Sequence, residues 1–270
     1  MVKYIKQSNI IMKHFFISIF LIAYPFIAPT KEFEIIQGGI VRGDINKKQI
    51  AIVFTSDGYY DGYETILDAL KKHHAKGSFF FTGNAFRLPE FEPIVKNLIA
   101  DRHYISVHSD RHLLYNAWEK RDSLLVTRQQ FIKDIEDNYT ELSKYGISKR
   151  DAPFFIPPYE YYNDTISKWS KELGLVLINF TAGTGSNADY TTPDMGVRYR
   201  DSETIYNSIL QFETKSDHGL NGFMLLIHFG VHPDRTDKLY HKLDDLITEL
   251  KRRGYHFVDV RDLLRNYPEK

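Results

Sequence analysis

Short unbroken apolar runs alternate with longer amphipathic stretches along this chain. The runs are IAIVFT (50–55), GSFFFTG (77–83), HYISVH (103–108), PFFI (153–156), LVLINFT (175–181), GFMLLIH (222–228) and YHFVDV (255–260). Most are continuous rather than alternating, which marks strands covered on both faces, as in a parallel sheet. Between them, TILDALKKHHAK (65–76) puts Ile66, Leu67 and Leu70 on one helical face, with Gly77 as a stop. RTDKLYHKLDDLITELKRRG (235–254) repeats Leu239, Leu243, Leu246, Ile247 and Leu250 at helical spacing. Asp234 is placed to cap its start, and Arg252 and Arg253 suit the dipole at its end before Gly254. His73, His74 and His241 ride on these helices and are expected to be surface or packing residues. Repeated strand–helix alternation without a break in composition predicts one α/β domain. A barrel of parallel strands fits better than an open sheet, because no glycine-rich phosphate loop follows the first run. Two long irregular stretches, 113–126 and 181–201, interrupt the alternation; such loops often serve function.

Composition adds limits to this picture. Hydrophobic residues make up 43% of 270, enough for a sizeable core. Lys+Arg and Asp+Glu balance at 35 each, so nothing marks a nucleic-acid partner, whose phosphates demand excess positive charge. Aromatics reach 14%, which suits either an aromatic core or sugar-binding surfaces. The chain has no cysteine, which excludes disulfides, thiolate metal sites and a cysteine nucleophile. The N-terminus departs from the rest: Lys3, Lys6 and Lys13 precede the apolar FFISIFLIAYPFIA (15–28), which is short for a membrane span and ends at small Ala28. Residues 1–28 are therefore expected to be a signal peptide, with Met12 as an alternative start. An uncleaved anchor is the competing reading. Residues 29–47 then form a lead-in and 48–266 the domain. The expected location is periplasmic, cell-surface or secreted, without stable membrane insertion after cleavage.

Candidate chemistry lies just after the strands. Asp57 follows the first, in FTSDGYYDG; His108 ends the third and opens HSDRH (108–112); IPPYE (156–160) follows the fourth; His228 ends the sixth, in LLIHFG. Loops after the strands of an α/β barrel share one face, so Asp57, His108, His112, Tyr159 and His228 can converge. The i, i+4 spacing of His108 and His112 would bring both imidazoles to one side of a helical turn. One carboxylate and two imidazoles suit a divalent metal such as zinc. The alternative is that Asp57 caps a turn and the histidines are satisfied polar residues.

The order TSDG, HSDRH, PPY and LLIH resembles the polysaccharide deacetylase family, the NodB-homology domains of carbohydrate esterase family four, over roughly residues 48–265. The resemblance implies a distorted (β/α)7 barrel. It implies Asp57, His108 and His112 as ligands of a divalent metal, zinc first, with nickel or cobalt as alternatives. It implies His228 as general acid, the Tyr159 backbone N–H as oxyanion donor, and Pro158, Tyr159, Tyr161 and Leu225 as substrate-binding residues. Two positions depart from the family pattern: Ser56 stands at the usual base aspartate, and Ile156 at the arginine that pairs with it. The two changes belong together, since either charge left alone in a buried site would cost on the order of 3–5 kcal/mol. The fourth motif has no clear match; Asp189 and Tyr190 are nearest in type.

The resemblance implies removal of acetyl groups from an N- or O-acetylated polysaccharide or oligosaccharide; with Ser56 at the usual base position, Asp61, Asp110 and Glu160, all near the motifs, are the candidates for a relocated base, and a metal-bound hydroxide with no dedicated base is the alternative. A carbohydrate-binding protein on a deacetylase scaffold, with Tyr159, Tyr161 and Tyr162 stacking on sugars, is the second reading. A third, an iron(II) oxygenase using the HSD of 108–110 and a distant histidine, sits poorly with an α/β pattern.

Overall fold

The computed structural model describes residues 33–265 together with Met1 and Tyr267, and from residue 31 onward the chain is one unit. The apolar stretch 15–28, read as a signal segment, lies outside the described residues. The strands are β1 (Glu34–Ile36), β2 (Gly39–Arg42), β3 (Gln49–Ser56), β4 (Gly77–Phe81), β5 (Tyr104–Val107), β6 (Phe154–Phe155), β7 (Val176–Leu177), β8 (Phe223–His228) and β9 (His256–Phe257). The helices are α1 (Tyr63–Lys72), α2 (Gly83–Phe86), α3 (Phe91–Ala100), α4 (Arg128–Ser143), α5 (Asp164–Glu172), α6 (Ser202–Lys215), α7 (Leu243–Arg252) and α8 (Val260–Leu263). β1 and β2 form an antiparallel hairpin. The other seven strands are parallel, in the order β7-β6-β5-β4-β3-β8, with β9 joined to the start of β3.

All seven apolar runs are strands of this one curled sheet. β3 carries seven consecutive buried residues and pairs with β4, β8 and β9, which is why it reads as continuous rather than alternating. The sheet closes into a distorted barrel through single contacts rather than a ladder. Asn179 N–H donates to the Ile40 carbonyl (2.9 Å), and Thr181 N–H to the Met224 carbonyl (2.9 Å), so residues 178–181 tie β2 to β8.

The core is aromatic. Phe54 stacks on Phe79 at 4.8 Å, and Phe79, Phe81, Phe91 and Phe229 meet at centroid distances of 5.2–6.4 Å. Each such side chain buried contributes about 1.5–3 kcal/mol. α1 buries Ile66, Ala69 and Leu70, and α7 buries Leu243, Leu246, Ile247 and Leu250. Thr127 and Gln130 form a capping box that fixes the start of α4.

One expected helix is shorter than its periodicity implies. The regular part of 235–254 runs only over Leu243–Arg252, preceded by a 3₁₀ turn at Leu239–Lys242, and Asp234 caps nothing. The reason is Arg235, which is fully buried and bonded to another loop. His73 bonds Asp244 at 2.7 Å and so ties α1 to α7, a packing role. No helix among the described residues is long and apolar enough to cross a membrane.

Candidate active site

The site is assembled at the C-terminal ends of the strands. At the end of β3, the Ser56 hydroxyl donates to the Tyr59 carbonyl (2.6 Å) and accepts from Gly58 N–H (2.9 Å). It is thereby committed to its own turn. Asp57 is exposed, and its Oδ1 accepts from Thr82 Oγ1 (2.8 Å) and Asn84 Nδ2 (3.0 Å). Thr82 is also the N-cap of α2, accepting from Ala85 N–H (3.1 Å), so the carboxylate is oriented by a helix start. Both bonds fall on Oδ1, and Oδ2 accepts from no described donor.

β5 delivers His108 and His112, but not on a helix. The intervening residues form an irregular loop in which Ser109 (φ 79°) and His112 (φ 53°) are left-handed. That reversal, rather than helical spacing, brings the two rings to 5.1 Å between centroids. The loop is held from α4: Asn138 Oδ1 accepts from His108 N–H (3.0 Å), and Asp134 accepts from Arg111 N–H (3.1 Å) and the Tyr115 hydroxyl (2.6 Å). His108 is buried, and its Nδ1 bonds the Ile156 carbonyl at 2.8 Å. A carbonyl only accepts, so Nδ1 carries the proton and Nε2 keeps its lone pair. Burial, with His112 and His228 nearby, holds the His108 pKa well below the ordinary value, so the ring is neutral. Burial also lowers His112, against the opposing pull of the Asp57 carboxylate.

The segment after β6 forms a tight 3₁₀ turn with buried Pro158 as its base. Tyr159 (φ 60°) and Glu160 (φ 53°) are both left-handed, a conformation that costs a side-chain-bearing residue roughly 1–3 kcal/mol. The turn sends the Tyr159 ring outward, 4.4 Å from that of His112, and the Glu160 carboxylate inward. Tyr159 N–H donates to no acceptor among the described residues. Glu160 Oε1 lies 3.9 Å from His108 Nε2. Burial pushes its carboxyl up to about 7, opposed by His228 and assisted by Asp189.

At the end of β8, Asp189 grips His228 twice: Oδ1 accepts from Nδ1 (2.6 Å) and Oδ2 from the backbone N–H (2.9 Å). Burial lowers the His228 pKa, but the Asp189 charge and hydrogen bond, with Glu160, outweigh it and raise the value overall. Asp189 fixes one proton on Nδ1, and the raised pKa favours a second on Nε2, the proton that a general acid would give up. Asp189, nearest in type to the unmatched motif, is thus the partner of His228. It reaches the site from the long stretch 181–201, which Arg235 pins down. The Arg235 guanidinium donates to the carbonyls of Thr191 (2.5 Å) and Arg200 (2.9 Å), and its Nε has no partner among the described residues. No local pattern distinguished Asn138, Asp134 or Arg235 in the sequence, because each acts through a loop distant in the chain.

Other candidate residues stand elsewhere. Asp61 accepts from Val231 N–H (2.8 Å), the Tyr240 hydroxyl (2.6 Å) and Lys238 Nζ (2.9 Å). Burial would raise its pKa, but these donors lower it, and it serves as a loop anchor beneath Gly230. Asp110 is buried against Gly83 and paired with Arg87 at 2.6 Å. Leu225 is fully buried within β8, paired with Ile52. Its odd offset of three from His228 puts it on the other face of the strand. Tyr162 is also buried, its hydroxyl donating to the Ile36 carbonyl (2.8 Å), and offers no stacking face. Tyr161 remains half-buried at the rim.

The donor types suit a divalent metal: a neutral imidazole with a free Nε2, a second imidazole beside it, and a carboxylate with one unbonded oxygen. Among the described residues, however, no three such side chains stand converged on one point. The fit therefore rests on donor chemistry and on the paired rings.

Comparison with known proteins gives consistent matches. The family model for polysaccharide deacetylase matches residues 42–178. A peptidoglycan-N-acetylglucosamine deacetylase of Bacillus cereus is 29% identical over 221 residues, which cover 82% of this chain and 90% of that protein. The structure of Bacillus subtilis PdaA, a family 4 carbohydrate esterase, superposes with a TM-score of 0.65 at 24% identity, covering 86% of this chain and 87% of that one. A CE4 family pseudoenzyme from Bacillus anthracis has a TM-score of 0.65 at 19% identity, covering 85% of this chain and 70% of that one. A mutant of that pseudoenzyme with restored enzymatic activity has the same fold.

Proposed function

The chain belongs to the polysaccharide deacetylase family, and on that premise we propose that it is an exported, metal-dependent hydrolase removing acetyl groups from an acetylated glycan such as peptidoglycan, with Glu160 as base. The observation that carries this reading is the double grip of Asp189 on His228, which supports a poised general acid at the barrel mouth. Asp57, His108 and His112 would hold the metal. When bound, a divalent metal there would polarise the acyl carbonyl and make water more acidic.

The chain's own residues supply the remaining chemistry. The Tyr159 N–H, without an acceptor among the described residues, is available to the developing oxyanion. His228, its ring oriented through Nδ1, donates from Nε2 to the leaving nitrogen or oxygen. Glu160 takes the proton from the attacking water. Its carboxylate differs from those of Asp61 and Asp110, which are tied to Tyr240 and Lys238 and to Arg87, by receiving no hydrogen bond from a described donor. Ser56, at the family's usual base position, is bonded within its own turn and takes no part.

Acetate release from N-acetylated oligosaccharides, with zinc, cobalt or nickel supplied and then chelated, tests the reading. Glu160→Gln should lower kcat by ~10²–10⁴, the usual worth of a general base. Unchanged kcat would remove Glu160 from the mechanism. The second reading, a glycan-binding protein without turnover, is favoured by the unconverged metal-type side chains. Glycan binding with no acetate release under any of these metals would establish it.

A further inference from the structure

Asp57 and the histidine pair come from two strands, β3 and β5, that do not touch; β4 lies between them. The one-turn helix α2 follows β4, and hydrogen bonds reach from it to both sides. Toward β3, Thr82 N–H donates to the Ser56 carbonyl (3.1 Å), and the Thr82 hydroxyl and Asn84 Nδ2 donate to Asp57 Oδ1 (2.8 and 3.0 Å). Toward β5, Gly83 N–H donates to the Ser109 carbonyl (3.1 Å) and Asn84 N–H to the Asp110 carbonyl (3.0 Å). Those two acceptors lie inside the loop that carries His108 and His112. The approach is close. A Cβ on Gly83 would run into the Asp110 carboxylate, so any side chain there would push the histidine loop away.

Arg87, at the end of this turn, joins the two directions. Its Nη1 donates to Asp110 Oδ1 (2.6 Å) and its Nη2 to Asp110 Oδ2 (3.3 Å), a fork on a buried carboxylate. Nη2 also donates to Asn84 Oδ1 (3.0 Å). With its oxygen taken by the guanidinium, the Asn84 amide can turn only its Nδ2 toward Asp57, where a donor is needed. An unbroken chain of side chains, Asp110–Arg87–Asn84–Asp57, thus runs from the histidine loop to the carboxylate. Asp110, a candidate base by its place in HSD (108–110), is the anchor of this chain.

We propose that Asn84 and Arg87 are positioning residues that fix Asp57 relative to His108 and His112, and so set the affinity of this site for a divalent metal. Asn84 holds the carboxylate, and Arg87 holds Asn84 and the histidine loop together. A ligand group already oriented by a donor has less freedom left to lose on binding, and a donor that is itself held passes that constraint on. The inference rests on the reading of Asp57, His108 and His112 as metal ligands, and adds the device that ties the two halves of that set into one.

The test measures zinc dissociation constants of the full chain, by competition with a chromophoric chelator, and urea midpoints on the same samples. Asn84→Ala should weaken zinc binding ~10–100-fold, the usual worth of a group that orients a ligand, with little change in the midpoint. In an Asp57→Ala background, Asn84→Ala should have no further effect, because it acts through that carboxylate. A merely structural role would weaken binding equally in both backgrounds. Arg87→Gln should weaken binding in both, and by less without Asp57, since it also holds the loop through Asp110. That change strips buried Asp110 of its fork, so Arg87→Gln/Asp110→Asn, which removes both charges, is measured beside it and should weaken binding as well. Zinc binding as tight as wild type in Asn84→Ala and in the Arg87 variants overturns the proposal and leaves the metal reading standing. So does an Asn84→Ala loss of equal size with and without Asp57. A wild-type chain that binds no zinc, cobalt or nickel removes the metal reading, and the proposal with it.

Discussion

Two corners of the barrel mouth satisfy their polar groups by different means. At the end of β8, His228 is held by Asp189, a residue 39 positions away that arrives on a long loop. At the end of β3, the Ser56 hydroxyl is satisfied within three residues, by Tyr59 and Gly58. An ionisable group in a buried place needs a partner brought from elsewhere; a hydroxyl can be closed off by its own turn. The β8 corner therefore holds a partnered ionisable group, and the Ser56 hydroxyl is closed off without one. Asp57 is steered from outside that turn, by Thr82 and Asn84, and so keeps its orientation whatever stands at position 56.

Removing the charged pair should have the largest effect. His228→Ala is expected to cut the rate of acetate release by ~10²–10⁴ while leaving bound zinc unchanged, since a general acid contributes to the chemical step and not to metal affinity. Asp189→Asn keeps the shape but not the charge and should fall between the variant and wild type. Steady-state kinetics with metal content measured on the same samples decides this. A His228→Ala protein that loses its metal along with its activity would show that the β8 corner is a metal corner instead.

Restoring charge to the neutral corner is the next test. Ser56→Asp places a carboxylate at a position only 5% exposed, facing the Tyr59 carbonyl, with no described cation beside it. It should cost on the order of 3–5 kcal/mol in urea unfolding and should not raise the rate. Ile156 is likewise fully buried, so Ile156→Arg alone should cost a similar amount. Together the two should recover most of the loss and increase acetate release. If the two costs simply add in a double-mutant cycle, positions 56 and 156 do not face each other, and the idea of a coherent paired replacement fails.

The same contrast between local and distant contacts explains what the sequence revealed. The seven strands were readable because each is a short apolar run with both faces covered, as in GSFFF and FMLLIH. Asp57, His108, His112 and His228 were readable because they follow strands. The His108–His112 geometry was not, since it depends on left-handed backbone at Ser109 and His112 rather than on helical spacing. Asp189 could be named but not matched, because its partner lies on another element and no periodicity links them. The overlong helix at 235–254 came from reading apolar spacing without knowing that Arg235 is buried under residues 191–202.

A third histidine sharpens the comparison, with the smallest expected effect. His103 is 9% exposed and packs on Phe79, but no carboxylate bonds it among the described residues; its Nδ1 accepts from Gly77 N–H (3.1 Å). Burial, with Lys76 nearby, lowers its pKa from 6.5 to about 4, against weaker opposing pulls from Asp101 and Asp259. The unfolded chain therefore binds the extra proton first as pH falls. The stabilisation from a neutral His103 is complete above pH 6.5, is lost progressively down to about pH 4, and then levels off. At roughly 1.4 kcal/mol per pH unit, this amounts to about 3 kcal/mol. His228 has the opposite sign: its value is raised by Asp189, so the contribution of that pair is full at low pH and lost as pH rises through the raised value. His103→Asn keeps an acceptor for Gly77 N–H but cannot titrate. Urea midpoints measured across this range should therefore fall less steeply with acid in the variant than in wild type. Parallel curves would mean that the buried histidine is not what sets the acid limb, and that the carboxylate partner is not what separates His228 from His103.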